Sequence, residues 1–243
     1  MPEYDSSYYR HICGGRQTRF DRARDGRVED LVARHAPPRR SDSALLDTGC
    51  GYGHLLARFA DRYRLYGVEL SEHAAATARG RLEDALIVRA DVQRGIPFGP
   101  HMDVIVAVNV IEHLDDPKAG VDAIAAALRP GGLCVIHLPT INNAASRLVY
   151  RLAYARDPTH VYRPTGREVR ALFESAGFRH IEESYAPHRR WLLAHRRWHP
   201  AYLAAFTLVP ERAAEPEPAA SRRAPARRRR SGQAGNERRA GYV

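Results

Sequence analysis

Leu45-Leu46-Asp47-Thr48-Gly49-Cys50-Gly51-Tyr52-Gly53 is an apolar run that stops at an acidic residue, turns through three alternating glycines and resumes in helical spacing. That order describes a strand, a tight loop and the start of a helix. A second short apolar run, Leu65-Tyr66-Gly67-Val68-Glu69-Leu70, places Glu69 22 positions after Asp47. At the tip of a second strand, Glu69 suits the two hydroxyls of a ribose. The two segments together frame a pocket for an adenosine-containing cofactor.

The spacing of the glycines narrows the choice of cofactor. Glycine allows positive φ and lets a ligand approach the backbone with no Cβ in the way, so Gly49, Gly51 and Gly53 can wrap a small group closely. A pyrophosphate loop reads G-x-G-x-x-G. Here the pattern is Gly49-x-Gly51-x-Gly53, with His54 where the third dinucleotide glycine would fall. An acidic residue two places before the first glycine also faces a pyrophosphate badly. Asp47 suits a cationic amino-acid ligand instead.

These residues resemble motif I of the class I S-adenosylmethionine-dependent methyltransferases, and Glu69 matches the family's ribose-binding acidic residue. Further similarities follow in family order through Arg89-Ala90-Asp91-Val92, Asn109-Val110-Ile111-Glu112-His113-Leu114, Leu128-Arg129-Pro130-Gly131-Gly132 and Leu133–Pro139. The resemblance covers residues 4–209. It implies an α/β, Rossmann-like, seven-stranded and mostly parallel sheet with an antiparallel last strand and helices on both faces. It also implies S-adenosylmethionine as methyl donor, held by Asp47, Gly49, Gly51, Gly53, Glu69, Leu70, Asp91, Val92, Asn109 and Val110. In this comparison Asp91 faces the adenine amino group and Asn109 lies near the methionine portion.

Composition is consistent with one such domain. The chain has 243 residues, no apolar stretch of the ~20 residues that span a bilayer, and no secretory leader at its start. A soluble cytoplasmic protein is expected. Cys13, Cys50 and Cys134 are scattered, without the paired spacing of disulfides or zinc. The net charge of +10 looks like a nucleic-acid signature, but residues 211–243 carry nine arginines against four acidic residues and so supply +5 of it. That segment has almost no large apolar residue and reads as a basic, disordered tail.

The expected organisation is an N-terminal arm over residues 1–40, a catalytic domain over 41–210 and the tail. Strands are expected from Ala44, over 64–69, 85–90, 102–108, 133–138 and 178–185, and finally over 202–209. Helices are expected over 53–62, from Ser71 as N-cap to 81, over 117–128 and over 165–176. Regular alternation lapses across residues 140–164, and a long insertion in a compact domain points to function.

Methyl transfer is an in-line displacement that requires donor and acceptor to be aligned, and a proton to be removed when the acceptor is a hydroxyl. Asn109, Glu112 and His113 would share one helical face. This stretch resembles the Glu-x-x-Glu-His segment of ubiquinone-type O-methyltransferases, where those side chains are in some cases associated with a divalent metal. Asn109 replaces the first carboxylate, so a metal is not favoured and a Glu112–His113 hydrogen-bonded pair is the simpler expectation. Within the insertion, Asp157-Pro158-Thr159-His160 resembles a Thr-His found in small-molecule O-methyltransferases. His160 is then either a base or substrate-positioning group, or a structural histidine that ties the insertion down.

The Tyr-rich arm, Tyr4 to Gly15 with Tyr9 at its centre, is either a lid over the cofactor or a docked surface helix. His137 is a weaker candidate, and the basic aromatic segment over 188–199 reads as a solvated connection. The expected catalytic residues are His160 and His113, and the expected acceptor is a small molecule, a hydroxyl of a specialised metabolite or sugar-like compound. RNA modification aided by the arginine tail, and a non-catalytic partner subunit of the same fold, are the alternatives. Asn109-Val110-Ile111-Glu112 lacks the Asn-Pro-Pro-Tyr order of base N-methylation.

Overall fold

The computed structural model describes residues 17–38, 42–154, 157–185 and 199–210. Seven strands form one sheet: β1 (Ala44–Thr48), β2 (Arg64–Glu69), β3 (Leu86–Arg89), β4 (Met102–Val108), β5 (Leu128–Pro139), β6 (Phe178–Ser184) and β7 (Ala201–Leu208), in the order β3-β2-β1-β4-β5-β7-β6. The β1–β5 strands run parallel, and β7 is antiparallel to both β5 and β6. Strand order reverses between β1 and β4, which creates a crevice beyond their carboxyl ends. Asp47 and Val106 pair across it, and Val108 pairs with His137 one strand farther on.

β1 and the greater part of β4 are buried on both faces, as near-continuous apolar runs in a parallel sheet should be. On one face, Leu45, Val104, Val106, Leu133 and Val135 pack with Val28, Leu31 and Val32 of α1 (Arg19–His35) and with Ala75 and Ala78 of α2 (Glu72–Arg81). On the other face, Leu46, Ile105, Cys134 and Ile136 meet Val121 and Ile124 of α3 (Pro117–Ala127) and Val169 and Phe173 of α5 (Gly166–Ser175). Cys50 and Cys134 are free and buried. Ser71 caps α2 as the sequence suggests, and Thr165, expected as the first helical residue, is the cap of α5.

Three local expectations need correction. The helix expected over 53–62 contracts to a 3-10 turn at Leu56–Phe59, because the chain returns at once to β2, where Arg64 N–H donates to the Ser43 carbonyl at 2.8 Å. Leu55, Leu56 and Phe59 still form its buried face. The Leu128–Gly132 turn is absorbed into β5: Leu128 pairs with Met102, and the register then shifts before Leu133 meets Val104. Within the 140–164 insertion lies a further helix, α4 (Ala144–Ala153), capped by Asn143 and Ser146 in a reciprocal box.

Chain contacts divide the protein into a unit at Met1–Pro210 and a second at Glu211–Val243. The Tyr-rich arm with Tyr9, most of the basic aromatic segment and the arginine tail lie outside the described residues. Among the described residues no helix is long and apolar enough to cross a membrane.

Candidate active site

The glycine loop is built as its sequence requires. Gly49, Gly51 and Gly53 all have positive φ, at 77°, 52° and 75°. The Gly49 and Cys50 amides donate to the Val68 carbonyl at 2.6 and 3.0 Å, which ties the loop to the end of β2. Glu69 then clasps it from the side: one carboxylate oxygen accepts from Gly51 N–H at 2.9 Å, the other from Ser71 N–H at 2.8 Å. This clasp holds the Glu69 carboxylate at the carboxyl end of β2, beside the glycine loop. Leu70, half-buried beside it, accepts from Arg89 Nε at 3.1 Å through its carbonyl.

Asp47 is buried at 2% exposure at the end of β1. Burial, with Asp25 and Glu69 nearby, pushes its carboxyl up to about 8. A pocket that holds a carboxylate so poorly when empty favours a bound cation. Asp91 caps the turn at Val92–Arg94 by accepting from Gln93 N–H at 3.0 Å, and Val92 is buried beside it.

Asn109 opens the opposite wall of the crevice and departs from the expectation. Its φ of 54° makes it the one described non-glycine residue in the left-handed region. It is therefore not on a common helical face with Glu112 and His113. Its amide donates to the His137 carbonyl, and its Oδ1 accepts from His137 Nδ1, both at 2.8 Å. Val110 leans on the glycine loop so closely that a Cβ on Gly49 would lie 2.6 Å from Val110 Cγ2. Gly49 and Asn109 themselves are exposed within a mostly buried rim, so a ligand can reach both backbones. Together with the buried Asp47 carboxyl and the Glu69 carboxylate beside the loop, this fits the donor that the resemblance implies.

The expected Glu112–His113 pair does not form. Glu112 is fully buried and neither carboxylate oxygen has a hydrogen-bond partner among the described residues; burial, with Asp157 nearby, pushes its carboxyl up to about 8. The turn is held instead by the insertion, through Tyr162 N–H to the Glu112 carbonyl at 3.0 Å and through His113. Thr159 Oγ1 donates to Asp157 and accepts from His113 Nδ1 at 2.8 Å, with the Thr159 carbonyl 3.2 Å from the same nitrogen. That chain puts the His113 proton on Nδ1 and its lone pair on Nε2. Burial lowers the His113 pKa below its ordinary value, so the ring is neutral near pH 7.

His160 packs 4.8 Å from His113, ring centre to ring centre, and is buried. Its Nδ1 meets the Tyr150 hydroxyl at 3.1 Å and its Nε2 lies 3.7 Å from Asp157. Burial and the neighbouring His113 push it down to about 4. Ligand atoms of Glu112, His113 and His160 lie within 4.8 Å of one another and could hold a divalent cation, with His160 where the sequence offered no third donor.

Sequence reading missed Arg24 and Asp25. Both extend the inward face of α1 above Val28 and Leu31. Asp25, at 1% exposure, accepts from Gln17 at 2.7 Å and from Arg24 at 2.8 Å. Arg24 also pairs with Asp21 at 3.1 Å. The available signal was their spacing, four and three residues before Val28.

A reversed-order parallel sheet with an Asp-led glycine loop and a ribose-type Glu at its switch point defines the class I S-adenosylmethionine-dependent methyltransferases. The Methyltransferase domain family matches residues 20–183, and the chain belongs to that family. Trans-aconitate 2-methyltransferase of Variovorax paradoxus is 27% identical over 143 residues, 58% of this chain and 54% of that protein. Ubiquinone biosynthesis O-methyltransferase of Idiomarina loihiensis is 38% identical over 99 residues, 36% of this chain and 39% of that protein. The chain thus spans about half, or less, of the length of these curated relatives. A solved S-adenosylmethionine-dependent methyltransferase from Clostridium acetobutylicum shares the fold, with a TM-score of 0.63 at 10% identity over 84% of this chain and 97% of that one.

Proposed function

We propose that this chain transfers a methyl group from S-adenosylmethionine to a hydroxyl of a small specialised metabolite or sugar-like compound in the cytoplasm. When bound, the donor supplies a methyl group activated on a sulfonium. Asp47, Gly49, Gly51, Gly53, Glu69, Leu70, Asp91, Val92, Asn109 and Val110 would hold it. The arm over residues 1–40, with Tyr9, would exclude water above it.

The observation that carries the hydroxyl reading is the Asp157–Thr159–His113 chain. It fixes one tautomer of a neutral imidazole beside the strand end where the acceptor must lie, and a hydroxyl is the acceptor that must give up a proton. His113 takes that proton at Nε2, and the Thr159 and Asp157 oxygens steady the imidazolium. His160, held by Tyr150, walls the acceptor against His113 as a positioning residue. The reading needs no metal.

A labelled-methyl transfer screen over metabolite extracts would identify the acceptor. With it in hand, His113→Ala is expected to lower turnover roughly 100-fold while S-adenosylhomocysteine binds as to the wild type. His160→Ala is expected to act mainly on the acceptor's KM. Wild-type turnover in His113→Ala would remove His113 from the proton step, and wild-type kinetics in His160→Ala would leave His160 a structural residue.

A further inference from the structure

His137 is almost fully buried at the end of β5, and its two nitrogens have unequal fates. Nδ1–H donates to Asn109 Oδ1 at 2.8 Å, so the lone pair lies on Nε2. That atom is buried and has no hydrogen-bond partner among the described residues. Leaving such an acceptor unsatisfied is costly, and a ligand that brings a donor removes the cost.

The surroundings indicate which donor. His137 alternates along β5 with Leu133 and Val135, and Asp47 along β1 with Leu45, so both point to the face of the sheet covered by α1. They are two strands apart and offset by two residues along the sheet, about 12 Å at Cα, a span that two side chains and one small cation fill. Asn109 and Val110 lie between them and press on Gly49. The other charged groups that face His137 are Arg24 and Arg27 of α1 and His199 just before β7. Arg24 is answered by Asp21 and Asp25, and Arg27 donates to Ser184 Oγ at 2.8 Å. A neutral hydroxyl would satisfy Nε2 and leave the buried Asp47 carboxylate with only Arg24 as a neighbouring cation, one that Asp21 and Asp25 already engage. An ammonium answers both, with three donors and a positive charge.

We propose that His137 is a positioning residue for the amino-acid end of the methyl donor: it clamps Asn109 in its left-handed conformation and offers Nε2 to the donor's α-ammonium. The inference rests on the methyl-donor reading of the site and adds to it a contact from β5, outside the glycine loop.

The test uses the full chain, with His137→Asn and His137→Gln. An Asn amide reaches the place of Nδ1 and can keep the Asn109 contact, whereas a Gln amide reaches the place of Nε2. Calorimetry compares S-adenosylhomocysteine with 5′-methylthioadenosine, which lacks the amino-acid end, and thermal melting reports the fold. His137→Asn is expected to bind S-adenosylhomocysteine about tenfold more weakly, with unchanged affinity for 5′-methylthioadenosine and an unchanged melting midpoint. His137→Gln recovers most of the loss. The proposal is overturned if His137→Asn binds S-adenosylhomocysteine like the wild type, or if both ligands weaken together as the midpoint falls. Wild-type protein that binds neither ligand would overturn the methyl-donor reading itself.

Discussion

Asp47→Asn is expected to stabilise the ligand-free protein at pH 8 and at the same time to abolish most cofactor binding. The Asp47 carboxyl is pushed from its ordinary value up to about 8, by burial first and then by Asp25 and Glu69. An unfolded chain releases that proton near pH 4, whereas the folded chain holds it until about pH 8. Across that interval the unfolded state binds fewer protons, so stability falls as pH rises. An uncharged amide does not titrate, and its gain at pH 8 should be roughly 2 kcal/mol after the site relaxes around the charge. In a domain of this size that is a rise of about 5 °C in the melting midpoint. Glu112, also pushed up to about 8, keeps part of the pH slope in the variant. Binding moves the other way. Losing a buried carboxylate that answers an ammonium should weaken S-adenosylhomocysteine roughly 100-fold. Melting curves from pH 4 to 8, with and without that ligand, check both halves. A variant that keeps the full ligand-induced shift would contradict the assignment of Asp47.

Gly49→Ala is expected to damage the same site by a different route, and a second substitution should repair half of the damage. Alanine at φ 77° costs about 1–2 kcal/mol, and its Cβ would sit 2.6 Å from Val110 Cγ2, well inside contact distance. Pushing Val110 away adds about 1–3 kcal/mol and displaces Asn109 beside it. Cofactor affinity should drop by two orders of magnitude or so. In Gly49→Ala with Val110→Ala the steric part disappears and the backbone part persists. The double variant should therefore bind better than Gly49→Ala alone, even though Val110→Ala by itself opens a cavity. Additive losses in the double-mutant cycle would show that the Gly49–Val110 contact does not limit the loop.

The conformation of the glycine loop was legible in sequence because its parts are local. Asp47, the three glycines and Glu69 are fixed by one strand–loop–strand unit, and their positive φ angles and the Glu69–Gly51 bond follow from it. The parallel sheet was legible for the same reason, since each strand and covering helix carries its own apolar period. What escaped depends on residues far apart in the chain. His113 is oriented by Thr159, and Asn109 by His137, contacts that no short window contains. The expected Glu112–His113 pair failed because His113 Nδ1 is engaged by Thr159 of the insertion, and the left-handed turn at Asn109, which periodic reading cannot foresee, takes Asn109 off the helical face it was expected to share with them. Arg24 and Asp25 were hidden as ordinary charges on a polar helix. α4 went unseen although its Asn143-Ala144-Ala145-Ser146 cap was present.

Thr159 sits in a segment with little share in the donor loop, yet it decides which nitrogen of His113 carries the proton. On the proposed reading, the recognition of donor and acceptor is thereby written in separate stretches of chain, which meet at a single imidazole. Selection acting on residues 140–164 would then rewrite what is methylated and how strongly it is deprotonated, while the machinery for the methyl source is inherited intact.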